Sequence, residues 1–169
     1  MGVEQLRTIG DPALRQYARP VAVFDEKLEH LVQLMERVME EGDGVGLAAN
    51  QVGVLSRVIV WRLPEEEDGC HIFVNPEIME ASESCCTDRE GCLSIPGITV
   101  EVTRAEEVVV RAQDLKGQEF SARLSGLAAR IVQHEIDHLD GRLVLDRASP
   151  EERRRALKEL RERLVASGT

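Results

Sequence analysis

The chain has 169 residues, the length of one compact domain. Its formal net charge of −10 argues against a protein built mainly to bind nucleic acid, and its hydrophobic fraction of 43% does not fit intrinsic disorder. No run approaches the roughly 20 apolar residues of a membrane helix, and the N-terminal segment does not have a signal-peptide pattern. We therefore expect a cytoplasmic protein with reduced cysteines, no membrane partner and no dedicated nucleic-acid binding.

The first predicted element is a helix that Asp25 caps and Gly42 closes. Its apolar stripe contains Leu28, Leu31, Val32, Met35, Val38 and Met39. After it, β-branched runs at residues 57–61, 72–75 and 107–111 and an apolar alternation at 120–124 predict strands. Residues 114–117 predict a hairpin turn between the last two strands.

Two helices follow the predicted strands. The first begins at Ser125 and ends near Asp140, and we expect its largely apolar stripe to be buried. That stripe consists of Leu127, Ile131, His134 and His138. The second spans residues 150–166, with Ser149 as its cap and Glu152 placed for a capping box. Its apolar face consists of Leu157, Leu160 and Leu164.

Strands followed by helices, without regular alternation of the two, indicate an α+β fold class. We predict short, mainly antiparallel strands packed around the central helix that begins at Ser125. An N-terminal helix and a C-terminal helix complete a single domain over residues 1–169.

The densest chemical signal is the segment QHEIDHL at residues 133–139. Residues four apart on a helix are neighbours, so His134 and His138 can share one metal ion, and the central helix becomes a metal-binding helix. Glu135 is then placed as a base beside the metal site. A chance match, or two histidines satisfied by hydrogen bonds in the core, is the alternative, but the second does not explain a glutamate on a largely apolar helix.

A catalytic metal site needs a third protein ligand, and no histidine follows His138. Upstream, the segment EGCLSIP at residues 90–96 offers Cys92 beside a glycine, where the backbone can approach another group closely. Two imidazoles and one thiolate leave an open tetrahedral position, which is the catalytic pattern. The alternative for Cys92 is a small buried apolar residue, and that role or simple exposure is what we expect of the other cysteines, Cys70, Cys85 and Cys86.

A third segment, GVGLAANQ at residues 44–51, follows the first helix. Its glycines alone could form no more than a turn. The preceding strand and following lysine of a phosphate-binding loop are both missing.

Taken together, the three segments resemble the peptide deformylase family, whose motifs are GxGLAAxQ, EGCLS and QHExDHLxG in that order. Here they stand as GVGLAANQ, EGCLS and QHEIDHLDG. Similarity continues in GDPALRQYARPV near the N-terminus, in NPEI at residues 75–78 and in DRASPEERR before the last helix, so it covers nearly the whole chain. The C-terminal helix resembles the class typical of many bacteria.

The resemblance implies an enzyme that hydrolyses the N-formyl group of formyl-methionine on nascent polypeptides and releases formate. The implied ligands of one divalent metal ion are Cys92, His134 and His138. The ion would be Fe²⁺ in the cell, with Zn, Ni or Co possible in the isolated protein. Glu135 would be the general acid and base, while the side-chain amide of Gln51 and the backbone N–H of Leu93 would stabilise charge on the carbonyl oxygen.

The resemblance also implies how a substrate binds. An extended peptide would pair with the backbone at Val45 and Gly46 on one side and at Gly91 on the other. Leu127 and Ile131 would form walls of an apolar pocket for the methionine side chain. Glu90 is expected to orient its neighbours, and Asp137 to stabilise the helix or a loop, because it projects from a different helix face than the histidines.

Two other functions remain open from the residues. One is an HExxH metallopeptidase of different specificity, which would cut unformylated peptides. The other is a non-catalytic module that binds a metal through cysteine and histidine. Release of formate from a formylated peptide would distinguish a deformylase from the metallopeptidase. Loss of turnover without loss of metal in Glu135→Ala would distinguish an enzyme from the non-catalytic module.

The C-terminal helix differs in charge from the rest of the chain. Residues 150–169 contain six basic and four acidic side chains, within a protein that is acidic overall. These charges either form a solvated face of i,i+4 pairs or dock the helix on the ribosome.

Overall fold

Seven strands and four α-helices follow one another in residues 5–168, which the computed structural model describes. The helices are α1 (Glu26–Glu41), α2 (Gly126–Leu139), α3 (Val144–Arg147) and α4 (Pro150–Ala166). The strands are β1 (Gly46–Ala48), β2 (Val58–Trp61), β3 (His71–Ala81), β4 (Cys85–Cys92), β5 (Ile95–Ala105), β6 (Glu107–Gln113) and β7 (Glu119–Ser125). Residues 1–4 and 169 of the predicted domain lie outside the described residues.

The strands form two antiparallel sheets. One has five strands in the order β1-β2-β3-β6-β7, and the other is the hairpin of β4 and β5. Helices lie outside these sheets and do not connect parallel strands. The predicted α+β class with mainly antiparallel strands is therefore confirmed.

Helix α2 lies at the centre of the fold. Its apolar side, including Ala129, Val132 and Leu139, packs against Ile59 and Val110 of the five-stranded sheet in one buried cluster. It also contacts β5 of the hairpin. The predicted burial is confirmed for Ile131, His134 and His138, but it is wrong for Leu127, which lies in the first turn of α2 and is 47% exposed. The helix places the histidine motif between the two sheets.

Helix α1 follows its prediction closely. The Asp25 carboxylate accepts a hydrogen bond from the Leu28 N–H at 3.2 Å, and Gly42 caps the other end. Five of the six predicted stripe residues are buried, and Leu31 is partly buried against the same cluster. This packing holds the loop that leads into β1.

Strand β3 extends beyond its predicted end at Asn75. The chain passes Asn75 with a φ of 52° and the pairing with β6 shifts register between Val74 and Glu77. The Asn75 side chain accepts from the Val21 N–H at 2.8 Å and donates to Gln113 at 2.7 Å. These bonds stabilise a bulge, so the strand continues to Ala81.

The hairpin of β4 and β5 is absent from the sequence prediction. Strand β4 is mostly exposed and carries no apolar alternation, which removes the usual signal. Strand β5 does alternate, since Ile98, Val100 and Val102 are buried while their neighbours are exposed. The turn at residues 93–94 joins the two strands where Cys92 pairs with Ile95.

Helix α4 begins as predicted but buries a different face. Ser149 accepts from the Glu152 N–H at 3.2 Å, while the Glu152 carboxylate accepts from the Glu101 N–H at 3.1 Å instead of completing a capping box. The buried residue of α4 is Ala156, whereas Leu157 is 37% exposed. Because α4 packs on β5 through a narrow seam, the predicted face of Leu157, Leu160 and Leu164 is only partly covered.

Candidate metal centre and substrate cleft

A cleft of about 620 Å³ opens between the hairpin, the segment around β1 and helix α2. It is lined by ten of the eleven residues predicted to bind metal, catalyse or hold substrate. These are Val45, Gly46, Gln51, Gly91, Cys92, Leu93, Leu127, Ile131, His134 and Glu135. The remaining residue, His138, is 1% exposed and lies one helical turn beyond His134.

The three predicted ligands converge from two elements. Cys92 ends β4, while His134 and His138 lie one turn apart on α2. Their ligand atoms all lie within 4.8 Å of one another, and Cys92 Sγ is 3.4 Å from His138 Nε2. Donors around one tetrahedral ion are separated by roughly 3.3–3.6 Å, so this donor set fits a divalent metal such as zinc or iron.

The protonation of His138 suits a metal ligand. Burial lowers the pKa of His138 well below its usual value, and the neighbouring His134 lowers it further. A neutral imidazole is the form that offers a lone pair to a metal ion. The Nδ1 atom of His138 is buried and has no hydrogen-bond partner within residues 5–168.

Glu135 lines the cleft and directly follows the proposed ligand His134 on α2. It is 5% exposed, and its Oε2 atom has no hydrogen-bond partner among the described residues. Burial raises the pKa of Glu135 to about 7, although His134 acts in the opposite direction. A carboxyl group with this pKa can take up and give back a proton near neutral pH.

Gly46 lets Glu135 reach its position. A Cβ atom on Gly46 would lie 2.6 Å from Glu135 Oε1, closer than real contacts allow. Gly44 likewise faces Leu93, where a Cβ atom would lie 2.8 Å from Cδ1. Gly44 and Gly46 therefore pack closely against residues of the other two motifs. Their role is not limited to forming a turn after α1.

Gln51 is fixed by hydrogen bonds at both ends of its amide. Its Oε1 atom accepts from the Ala48 N–H at 2.9 Å, and its Nε2 atom donates to Ser94 Oγ at 3.0 Å. The same Nε2 atom lies 3.6 Å from Cys92 Sγ. The amide N–H groups thus face the side of the cleft that carries the metal ligands.

Glu90 links His134 to two arginines. Its Oε1 atom lies 2.8 Å from His134 Nδ1, while Oε2 accepts from Arg104 at 2.7 Å and from Arg130 at 2.5 Å. Burial alone would raise the pKa of Glu90, but the hydrogen bonds from His134 and Arg104 hold it at about 2. With Nδ1 bound to Glu90, the Nε2 atom of His134 is directed to the metal site.

A second carboxylate continues this network. Asp137 accepts from Arg104 at 2.9 Å and from Arg147 at 2.8 and 3.0 Å. Burial opposes the charged form, but the two arginines keep the pKa of Asp137 below its usual value. Asp137 braces α2 against β5 and α3, as expected from its position off the histidine face.

Sequence reasoning missed Arg104, Arg130 and Ser94. Arg130 precedes His134 by four residues on a buried helix, a spacing that could have revealed it. Arg104 continues the buried alternation of β5, which could have marked it as a buried charge needing partners. Its partners Glu90 and Asp137 are 14 and 33 residues away, so no local motif identifies them.

The apolar side of the cleft includes both predicted pocket walls. Ile131 is 5% exposed and Leu127 is 47% exposed, so the first lies deep and the second lies at the mouth. Gly91 adds no side chain to the opposite wall, where Thr99 is its partner across the hairpin. The cleft therefore offers an apolar recess next to an accessible strand.

The other cysteines lie apart from the metal ligands. Cys70 Sγ is 2.9 Å from Glu36 Oε1, and burial together with this contact raises the pKa of the Cys70 thiol to about 12. Cys85 and Cys86 are exposed on β4. Within residues 5–168, Cys92 alone of the four joins the group that could hold a metal.

Among the described residues, no helix combines the length and the apolar character that crossing a membrane requires.

Comparison with known proteins supports one family. The family model described as Polypeptide deformylase matches residues 3–154. The chain is 48% identical over 149 residues to a protein named Peptide deformylase from Dictyoglomus thermophilum, covering 88% of this chain and 95% of that protein. It is 45% identical over 163 residues to Peptide deformylase 1 of Corynebacterium glutamicum, covering 95% and 96% of the two chains.

The fold gives the same result. A crystal structure of a peptide deformylase from Synechococcus elongatus in complex with actinonin superposes with a TM-score of 0.87 at 38% identity. The match covers 91% of this chain and 85% of that one. Sequence and architecture therefore agree over nearly the whole length.

Proposed function

This chain belongs to the polypeptide deformylase family, and from that premise we propose how its own residues carry out the reaction. The protein is a hydrolase that removes the formyl group from the N-terminal formyl-methionine of nascent peptides. The observation that supports this most strongly is the meeting of all three sequence motifs in one cleft. Neither a metallopeptidase of another specificity nor a non-catalytic metal module is supported by the comparisons.

The family is metal-dependent, and we propose Cys92, His134 and His138 as the ligands. Support comes from the spacing of their donor atoms and from the salt-bridged Glu90, which keeps His134 oriented. Cys92, His134 and His138 would hold a divalent ion, which would supply the Lewis acidity for the hydrolysis.

Glu135 is the proposed general acid and base. Its buried carboxylate, with a pKa of about 7, can accept a proton from the attacking water and deliver it to the departing amine nitrogen. The free Oε2 atom is available for this transfer, since no described residue competes for it. Gly46 provides the space in which the carboxylate sits.

Negative charge that develops on the formyl oxygen needs donors. We propose the Gln51 amide and the Leu93 backbone N–H for this role. Gln51 is held by Ala48 and Ser94, and its Nε2 atom lies 3.6 Å from Cys92 Sγ, so the amide is positioned beside the proposed metal ligands. Removing one such donor typically slows a reaction about a hundredfold or more.

The peptide itself is proposed to bind in an extended form beside Val45, Gly46 and Gly91. Main-chain pairing of this kind tolerates different residues after the methionine. The methionine side chain would enter the apolar recess between Leu127 and Ile131. A flexible thioether suits such a recess.

Formate release tests this function directly. The metal-loaded protein is incubated with formyl-Met-Ala-Ser and, separately, with a longer unformylated peptide. We expect formate from the first and no cleavage of the second. Cleavage of the unformylated peptide without formate release from the first would contradict the proposal and favour a metallopeptidase.

The identity of the ion is a separate proposal, namely Fe²⁺ in the cell. Two imidazoles and one thiolate suit Fe, Zn, Ni and Co, so isolation can leave another of these ions at the site. Elemental analysis of protein purified without oxygen tests the proposal. We expect about one iron per chain, and a stoichiometric amount of another metal with no iron would refute it.

A further proposal is that α4 docks on the ribosome. Arg153, Arg154 and Arg161 form no ion pair within residues 5–168, whereas the other cations of α4 are paired with glutamates along the helix. Truncating α4 would expose the core around Ala156, so surface substitutions are the better probe.

Cosedimentation with ribosomes tests this contact. The triple variant Arg153→Gln, Arg154→Gln, Arg161→Gln should cosediment less, while activity on short formylated peptides stays unchanged. The matched control changes Arg37, Lys116 and Arg123, which are exposed elsewhere, to Gln. Equal loss in both triple variants, or no loss in either, would refute specific docking of α4.

We also propose that residues 1–169 form one catalytic domain and that the protein works in the cytoplasm. The cleft is lined by residues from the segment around β1, from the β4–β5 hairpin and from α2, which argues that these elements belong to one domain. Four free thiols fit a reducing compartment. Cell fractionation followed by immunoblotting checks the location.

A further inference from the structure

Arg89 on β4 is the exposed cation among the described residues that line the cleft. Its side chain is 49% exposed. The other basic side chains of the lining, Arg130 and His134, are buried and bonded to Glu90. Arg89 is therefore the positive charge that a bound molecule can meet without breaking the buried network.

The position of Arg89 relates it to the reacting end of the cleft. It precedes Cys92 by three residues on a strand, a distance of about 10 Å. Its Nε atom donates to Thr99 Oγ1 at 3.3 Å, and Thr99 pairs with Gly91 across the hairpin. The Arg89 side chain thus reaches across the hairpin to the residue that pairs with Gly91.

Two carboxylates face Arg89 from neighbouring elements. Glu101 on β5 lies 3.7 Å away and Glu152 on α4 lies 3.9 Å away, both too far for a hydrogen bond. Glu152 is engaged more closely by Arg155 at 3.0 Å. Arg89 therefore keeps N–H groups for another acceptor, and Glu101 weakens its positive field.

We propose that Arg89 is a specificity-determining residue that favours substrates with a carboxylate at the third residue. This inference rests on the proposed function and on an extended peptide that starts at the metal ligands. Each residue of such a peptide advances about 3.4 Å, so the third residue lies roughly 10 Å from the formyl group, level with Arg89. The carboxylate can belong to an acidic side chain or to the C-terminus of a short peptide.

The expected effect is modest and lies in binding. An exposed ion pair changes affinity by about two- to fivefold, and salt screens it. Because the third residue is remote from the reacting bond, the contact is the same in the ground state and the transition state. It should therefore lower KM and leave kcat unchanged.

Three amidated peptides test the inference: formyl-Met-Ala-Glu, formyl-Met-Ala-Gln and formyl-Met-Ala-Lys. For the parent enzyme, kcat/KM should fall in that order, by about two- to fivefold per step at low salt. Arg89→Gln should abolish or reverse this order, because Glu101 and Glu152 remain, and Arg89→Lys should keep most of it. Glu101→Gln should increase the differences in kcat/KM between the three peptides, because a carboxylate that opposes the Arg89 charge is removed.

Arg123→Gln is the matched control. It removes the same charge from β7, which does not line the cleft, and should retain the parent's order. Equal kcat/KM for the three peptides in the parent, or an unchanged order in Arg89→Gln, would overturn the inference. Absence of formate from the neutral glutamine peptide would instead contradict the proposed function.

Discussion

The metal centre and helix α4 use the same residue types in opposite surroundings. At the centre, the Arg104 side chain is 4% exposed and bonds to Glu90 at 2.7 Å and to Asp137 at 2.9 Å. On α4, Lys158 and Glu162 are 79% and 66% exposed and lie 4.0 Å apart. We therefore expect burial, more than the number of ion pairs, to decide what each charged pair contributes to stability.

The physical reason is solvation. Buried charges cannot return to water when a partner is lost, so each one enforces the position of its neighbours. Exposed charges are hydrated in either arrangement, and their pairing contributes little. The buried network therefore holds His134 and α2 in place, while the exposed pairs of α4 are expected to constrain their neighbours little.

The largest expected effect comes from the carboxylate at the centre. Glu135→Gln removes the carboxylate proposed to move the proton but keeps its shape, so kcat should fall about a hundred- to ten-thousandfold. Metal content should stay at the parent's level, because Glu135 is not a ligand. Formate assays and elemental analysis measure the two quantities, and substantial turnover by this variant would contradict the assigned role.

The second-largest effect is expected on stability, when the buried network around Arg104 is broken. Arg104→Gln leaves Glu90 and Asp137 with fewer partners in the interior, and the free energy of unfolding should fall by about 3–5 kcal/mol. Arg104→Lys keeps the positive charge and should lose less of the free energy of unfolding than Arg104→Gln does. Denaturant titration measures the change, and a loss below about 1 kcal/mol would show that burial does not set the difference.

A smaller effect is expected where the first motif meets the other two. Gly46→Ala places a methyl group against Glu135 Oε1, and displacement of this carboxylate should lower kcat about a hundredfold. Gly44→Ala is the matched variant, because its methyl group meets the flexible end of Leu93 and should cost less. An equal loss in both variants would argue against a specific role for the Gly46 contact.

The smallest effect is predicted on α4. Lys158 pairs with Glu162 at 4.0 Å, and its side chain is 79% exposed. Lys158→Gln should therefore change the free energy of unfolding by about 1 kcal/mol or less. Denaturant titration of this variant and of Arg104→Gln compares the two regions directly. Similar losses in the free energy of unfolding would contradict the expected difference between buried and exposed pairs.

The sequence predicted the parts of the site that lie within continuous motifs. Helix α2 has the period and the two histidines that mark its metal face, and Cys92 follows from the absence of a later histidine. Strand β4 was missed because it is mostly exposed and has no apolar alternation, whereas β5 was missed although its alternation is visible in the sequence. The bracing of Glu90 by Arg104 escaped because it depends on residues brought together only by β5 folding beside α2.

Titration of metal into the metal-free protein tests the central claim most directly. Formate release from formyl-Met-Ala-Ser should rise in proportion to added metal and stop rising at one ion per chain. Glu135→Gln should bind the same single ion and release almost no formate. Full formate release without added metal, or none at one ion per chain, would contradict a deformylase centre built on Cys92, His134 and His138.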